Sequence, residues 1–441
     1  MNASALHKLV GDWADLVSPR TGIIRSVSRV QRGAEEPSPP IIYQAEVSHF
    51  DFHAAKAQDR ASAGKGMSEE QAIRGAIGEA IERYCASHFD QSAAFVSPWE
   101  RISDRSVAPP EFVLYSASQY GSGRLPYHDW EPKDEITWIA ARELPLNRLV
   151  YVPASLVYLQ FPRDRAEDAL APATSNGLAA GPTLEYAVLH GLYESIERDA
   201  FLLTWMARLP APEVHFTAAS PLANSIRAHY LHYGVDLRVF RMCTDIDAHV
   251  MMAIALDSTG LGPAAVISLG CHASPEKALT RAVLEICQVH PGEVRRYREQ
   301  PPGERLKRAE DVKTLEDHSA FVSVLERRGE FSFLLDNGRS QRIEELPDYS
   351  SGSVENDLDQ CTATLQHSGS RVLYVDLTTS DVKDYGIHVA RSIATGLQPM
   401  HFGWGEERLG GRRLFELPYN LGFASAPLTE RDLNQCPHPL A

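Results

Sequence analysis

Two stretches of this chain set carboxylates and an arginine in the same order, Glu79-x-x-Glu82-Arg83 and Glu194-x-x-Glu197-Arg198. On a helix, residues three and four apart are neighbours, so each pair of glutamates shares a face. A third stretch, SPEKALTRAVLEICQ, carries Arg281 and Glu285 at the same kind of spacing. Taken singly, each is a solvated helix face whose Glu/Arg pairs contribute a few tenths of a kcal/mol. Taken together, converging glutamates repel unless cations lie between them, and magnesium with nucleotide phosphates meets that need. Lys65 stands between Gly64 and Gly66 just before the first pair, within reach of a phosphate, although a Gly-Lys-Gly turn also reads as a plain loop. The usual phosphate cradles, G-x-x-x-x-G-K-[ST] and a G-x-G-x-x-G after a strand, are absent.

Three helices must position these groups. The first begins at Ser68, with Gln71 completing a capping box and Glu69 and Glu70 suiting the dipole. Ala72, Ile73, Ala76, Ile77, Ala80, Ile81 and Tyr84 form its apolar stripe, and Gly75, Glu79 and Glu82 lie on another face. Glycine costs a helix about 1 kcal/mol relative to alanine, so Gly75 and Gly78 imply that something approaches closely. The second helix starts at Thr183, buries Leu184, Val188, Leu192 and Ile196, and presents His190, Glu194 and Glu197. The third opens on Ser274-Pro275, buries Leu279, Ala282, Val283 and Ile286, presents Arg281, Glu285 and Gln288, and ends near His290. Each helix thus shows polar positions at i, i+4 and i+7.

Between them the sequence reads as strands, among them VDLRVFRMCTD, HVMMAIALDST, AAVISLGCHA and RVLYVDLTT. TSNGLAAGPT reads as a glycine-rich turn, residues 301–337 as a charged insertion and SSGSVENDLDQ as a linker. Strands and helices interleave without a strict βαβ rhythm, so the fold class is α+β, or mixed α/β.

Composition narrows the classes. A net charge of −15 disfavours extended contact with nucleic acid, whose affinity comes largely from Lys and Arg. The apolar run at residues 250–256 stops at Asp257, a strand and not a membrane span. Six scattered cysteines without a C-x-x-C pair argue against a disulfide framework or thiolate zinc site and point to a reducing cytoplasm.

GKG with GEAIERY, TSNGLAAGPTLEYAVLHGLYESIERDAF and SPEKALTRAVLEICQ together resemble the YcaO family. The resemblance extends through LVSPRTGIIRSV, TLEDH, GIHVARSIATGLQPMHFG, RLGGRR and the ending NQCPHPLA, and so spans nearly the whole chain. It is similar to the stand-alone, azoline-forming cyclodehydratase subunits of thiazole/oxazole-modified peptide synthetases of the microcin B17 type. That resemblance implies an N-terminal segment over residues 1–55, an ATP-binding catalytic domain over 56–410 and a C-terminal tail over 411–441. It implies a non-standard ATP site in which Glu79, Glu82, Glu194, Glu197 and Glu285 hold Mg2+ while Lys65, Ser175, Asn176, His190 and Arg281 meet the nucleotide. It implies ATP-dependent conversion of Cys, Ser or Thr in a ribosomal precursor peptide to thiazoline or oxazoline, through phosphorylation of the backbone amide oxygen. The family's proline-rich C-terminus is associated with proton transfer; here Pro437-His438-Pro439 matches, and Leu440-Ala441 replaces a final proline. The Ala441 carboxylate or His438 is then the candidate base, a disordered tail being the alternative. Expected partners are the precursor peptide, a separate leader-binding subunit, since no such domain is recognisable here, and a flavin-dependent dehydrogenase, with neither nucleic acid nor membrane. Thioamide or amidine formation, or a non-catalytic nucleotide-binding scaffold, are the competing functions.

Overall fold

The computed structural model describes residues 3–48, 61–162, 164–218, 220–301 and 305–440. Its strands form three sheets. The first joins β1 (Ile24–Arg29), β2 (Ile41–Val47) and β3 (Ala61–Gly66) in that order, all antiparallel. The second contains β4 (Phe95–Pro98), β5 (Glu135–Glu143), β6 (Arg148–Pro153) and β7 (Leu178–Gly181). The third contains β8 (Glu213–His215), β9 (Val235–Arg241), β10 (His249–Asp257), β11 (Val266–His272) and β12 (Ser340–Arg342). Two late strands, β13 (Val372–Asp376) and β14 (His388–Ala394), complete the second sheet in the order β4-β5-β13-β14-β7, with β6 paired to β5. The α+β class expected from the interleaved pattern is therefore what the chain adopts.

Each site helix follows directly from a strand and lies on that strand's sheet: α1 (Glu69–Ser87) after β3, α2 (Leu184–Met206) after β7, and α3 (Pro275–Glu299) after β11. Each also touches the next sheet round. Helix α1 meets β7 and β14, α2 meets β10 and β11, and α3 meets β3. Three strand–helix units thus close into a ring. Their registers agree, because Glu79, Glu194 and Glu285 each lie eleven positions beyond their caps, Ser68, Thr183 and Ser274.

The helix starts follow local chemistry. Ser68 Oγ accepts from Gln71 N (3.2 Å) and Thr183 Oγ1 from Tyr186 N (3.1 Å). Gln71 returns its side chain to Met67 N (2.9 Å), one residue before the position a capping box requires. Ser274 makes no side-chain cap, and proline at the next position removes one donor that the first turn would leave unpaired.

Helix α3 runs nine residues past the expected end at His290, straight through Pro291. A helix proline leaves the carbonyl four residues earlier without its N–H partner. Here that carbonyl, on Cys287, accepts from Arg32 Nη2 (2.9 Å), which explains why the helix continues. Four other expectations are corrected. Gly64-Lys65-Gly66 lies in β3, and four residues of the glycine-rich turn form β7, because small residues let strand and helix backbones touch. A Cβ on Gly64 would stand 2.1 Å from both Ala72 O and Ala76 N, and one on Gly270 would stand 2.4 Å from Ala282 N. The stretch read as a linker is helical over Val354–His367, capped by Ser353, with Leu358, Cys361 and Leu365 buried at helical spacing. Within residues 301–337, Val312, Phe321, Phe331 and Leu334 enter the main core, so that segment is part of the body of the fold. Among the described residues no helix is long and apolar enough to cross a membrane.

Candidate active site

The polar faces of the three helices meet in one cleft of about 1030 Å³. Glu79 and Glu82 come to its wall from α1, and His190 and Glu194 from α2. Arg281 comes from α3, Lys65 from β3, and Ser175 and Asn176 from the loop before β7. Gly75 and Gly78 line it too, for different reasons. A Cβ on Gly75 would stand 3.2 Å from the Gly64 backbone, so strand β3 is what approaches there, whereas Gly78 faces open space.

Equivalent glutamates are tied down in equivalent ways. Glu79 Oε2 accepts from Ala63 N (3.0 Å) and Glu194 Oε2 from Gly177 N (3.0 Å), each a main-chain donor just upstream of its own helix. Arg83 binds Glu79 (2.7 Å), and Arg198 lies 3.5 and 3.6 Å from Glu194 and Glu197. These arginines brace their own helices and also line the cleft. Glu197 and Glu285 do not reach the lining. Lys65 on β3 takes Glu285 of α3 in an ion pair across the ring, and Glu197 lies among Arg198, Arg281 and Lys65.

His190 has a defined role. Its Nδ1–H donates to the Tyr186 carbonyl (3.0 Å), leaving Nε2 to accept from Arg281 Nη2 (2.7 Å). Burial, reinforced by Arg281, pushes the imidazole down to about 3, so it stays the neutral acceptor that aims the guanidinium. Tyr186 stacks on the ring at 3.8 Å and fixes its plane.

Electrostatically the cleft is strained toward cations. Burial raises the carboxyls of Glu82, Glu194 and Glu197, and Glu82 is driven further by Glu194 and Glu79. Burial also lowers Lys65 to about 8 against the pull of Glu79 and Glu197. Among the described residues no three His, Cys, Asp or Glu side chains cluster tightly enough to hold one metal ion by themselves. That donor set suits Mg2+, which keeps waters and takes one or two carboxylates together with substrate phosphates. Glu79 and Glu82 on one wall and Glu194 on another, with Lys65 and Arg281 for phosphate charge, fit a magnesium nucleotide.

One residue of this site was not anticipated. Arg391 on β14 is buried and donates to the carbonyls of Val157 (2.7 Å), Thr174 (2.7 Å) and Asn176, so it shapes the Ser175–Asn176 loop from behind. Burial lowers it to about 10, against the opposing pull of Glu194 and Glu82. A lone arginine inside the apolar strand HVARSIA was the available signal.

The tail is ordered through Leu440, which lines the cleft beside Met400 and Phe402. Ala441 lies outside the described residues. His438 is not brought to the cleft. It is 1% exposed, stacks on His318 at 3.8 Å, and donates Nε2–H to the His401 carbonyl (2.9 Å). His318 Nδ1–H in turn donates to the His438 carbonyl (2.9 Å), and Trp205 Nε1 to that of Cys436 (3.0 Å). Burial holds the His438 imidazole well below its usual range, so it acts as a peg that seats the tail, which corrects the expectation of a cleft-facing base.

This packing has a measurable pH signature. Burial lowers His318 to about 4 from an ordinary value of 6.5, so the unfolded chain binds its proton first as pH falls. The stability this histidine contributes is present above pH 6.5 and declines toward pH 4, by about 1.4 kcal/mol per pH unit for one full proton. Denaturant unfolding at pH 7 and pH 5 is expected to show a smaller loss in His318→Gln than in the unmodified chain. Equal losses would contradict a neutral, buried His318.

The YcaO cyclodehydratase model, described as ATP- and Mg2+-binding, matches residues 63–398. An uncharacterized protein of Methanothermobacter thermautotrophicus is 29% identical over 384 residues, covering 83% of this chain and 91% of that protein. A heterocyclase solved with substrate and cofactor superposes on 100% of this chain with a TM-score of 0.81 at 24% identity, and the chain spans 57% of its length. YcaO from Methanopyrus kandleri, bound to AMPPCP and Mg2+, gives a TM-score of 0.63 at 19% identity over 87% of this chain and 88% of that one. The E. coli microcin synthetase complex gives 0.58 at 16% identity, over 83% of this chain and 87% of the other. The family match extends over all three strand–helix units of the ring: the chain belongs to the YcaO family.

Proposed function

We propose that this chain is an ATP-dependent peptide cyclodehydratase that converts Cys, Ser or Thr residues of a ribosomal precursor peptide to azolines. The observation that carries the reading is the ring itself: carboxylates from two helices face one cleft, with Lys65, Arg281 and the tail's Leu440 at the same wall. In the proposed reaction a substrate side-chain thiol or hydroxyl attacks the preceding carbonyl carbon. The resulting oxyanion takes the γ-phosphoryl group of ATP, and loss of that oxygen as phosphate closes the ring double bond. An amide oxygen is a poor leaving group until it is phosphorylated, which is why the reaction needs ATP. Mg2+ held by Glu79, Glu82 and Glu194 would neutralise charge on the phosphoryl oxygens, with Glu197 and Glu285 behind them holding the Lys65 and Arg281 cations in place.

The protein's own groups position and shield. Lys65 and Arg281 meet phosphate charge, and His190 aims Arg281. Ser175 and Asn176 border the nucleotide, and Arg391 holds their loop. A leader-binding subunit and a flavin-dependent dehydrogenase are the partners proposed with this chain. A neighbouring fold occurs in a microcin synthetase complex with pro-microcin bound, which supports a peptide substrate and partner subunits.

The test is co-expression with the genomic neighbours and a candidate precursor, followed by peptide mass. Loss of one water per modified residue, dependent on ATP and abolished by Glu197→Gln, is expected. Replacement of oxygen by sulfur would point to thioamidation, and an unchanged mass with every partner present would refute an enzymatic role.

A further inference from the structure

We propose a second anion site behind the carboxylate wall: a small cavity lined by Arg391 and Arg408 that holds one inorganic oxyanion. Its natural occupant is the phosphate released by the proposed reaction, and that assignment of occupant rests on the cyclodehydratase reading. The cavity has a volume of about 90 Å³ and is bordered by Asn176, Ser195, Ser392 and Gln398 as well as the two arginines. Asn176 also lines the large cleft, so a single loop separates the two spaces.

Both arginines are buried, 3% and 6% exposed, and a buried cation without a counter-charge is costly. The carboxylates that act on Arg391, Glu194 and Glu82, belong to the cleft side. The titratable groups that act on Arg408 are the phenols of Tyr115, Tyr120 and Tyr127, with the His401 imidazole also near it, and no carboxylate is among them. Its Nη2 donates to the Phe112 carbonyl (3.1 Å), while its Nε, fully buried, has no hydrogen-bond partner among the described residues. The other polar groups are occupied. Ser195 Oγ donates to Gly191 O (3.0 Å), Ser392 Oγ to Val188 O (2.8 Å), and Gln398 Nε2 to the Arg408 carbonyl (3.0 Å). Arg391 already donates to the Val157, Thr174 and Asn176 carbonyls and brings mainly its charge, so the donor left without a protein acceptor is Arg408 Nε.

Chemistry and size then select the ligand. Guanidinium groups bind tetrahedral oxyanions through paired N–H donors and remain charged at any physiological pH. A water molecule needs roughly 10–15 Å³ of such space, so this cavity admits a phosphate or sulfate and excludes a nucleotide. A product phosphate resting here would leave the ATP cleft free for the next nucleotide. Phosphate inhibition would then be non-competitive with ATP.

The test uses the full chain saturated with Mg2+ and a non-hydrolysable ATP analogue, so that phosphate cannot enter the cleft. Calorimetric titration with inorganic phosphate is expected to show saturable binding, weakened at least about tenfold by Arg408→Met. Ala394→Leu, which keeps both arginines and fills the cavity, is expected to weaken it similarly while analogue affinity stays unchanged. This second variant decides the matter if Arg408→Met fails to fold. A selenate-soaked crystal should show its anomalous peak between Arg391 and Arg408. No phosphate binding by the saturated chain, or undiminished binding in Ala394→Leu, would overturn the site. No peptide or turnover enters these measurements. A chain that binds phosphate here yet modifies no peptide would refute the cyclodehydratase reading and leave the anion site standing.

Discussion

Replacing Glu82 with glutamine is expected to remove ATP-dependent turnover while making the nucleotide-free chain more stable. Both effects have one cause. Glu82 is half-buried in the wall where Glu79 and Glu194 also stand, and desolvation with that like charge raises its carboxyl well above the ordinary range. In the absence of metal, its negative charge is a cost that the fold bears. Glutamine keeps the shape and removes the charge, so the thermal midpoint of the chain without metal or nucleotide should rise. The same change deletes an oxygen donor for Mg2+. Metal stabilisation of phosphoryl charge is worth several kcal/mol, and each 1.4 kcal/mol is a factor of ten, so turnover should fall about a thousandfold. Thermal unfolding and ATPase or peptide assays on the same preparation separate the two effects. A variant that loses stability and activity together would mark Glu82 as an ordinary structural residue.

Asp199→Ala is expected to destabilise the chain by about 3–5 kcal/mol, the cost of leaving one partner of a buried pair uncompensated. Asp199 follows Glu197 and Arg198 on α2 and is fully buried. It accepts from Gln398 N (2.8 Å) and from Arg413 (2.9 Å), whose other contact is Asp245 (2.5 Å). One carboxylate thereby binds the helix carrying the second glutamate pair to the loop after β14 and to the helix at Arg413–Asn420 that begins the tail. Loss of this anchor should loosen the seating of Leu440 as well as lower the denaturant midpoint. An Asp199→Ala chain within about 1 kcal/mol of the original would contradict the pairing.

How much of this was legible in the sequence depended on how local the cause was. The three site helices were legible because apolar periodicity and caps are local, and Ser68 and Thr183 cap as expected. The polar stripes were legible for the same reason. Helix projection put Glu79, Glu82, His190, Glu194 and Arg281 on faces that do meet in the cleft. What failed was non-local. Strands β3 and β7 read as loops because their small, glycine-rich residues satisfy a close contact with a helix, not a strand propensity. The continuation of α3 through Pro291 depends on Arg32, more than 250 residues earlier. His438 looked like a base by residue type, and only its stack on His318 reveals a peg. Arg391 shows the opposite case, a charge in an apolar strand that marks a buried role without revealing which carbonyls it holds.

The central claim is that two carboxylate walls and the Lys65–Arg281 cations form one magnesium–nucleotide site. The most direct measurement is a crystal structure of the full chain with Mn2+ and a non-hydrolysable ATP analogue, with the metal located by anomalous scattering. The account predicts manganese peaks between the Glu79–Glu82 wall and Glu194, with the triphosphate against Lys65 and Arg281. Manganese or nucleotide bound elsewhere, with those glutamates making no metal contact, would contradict it.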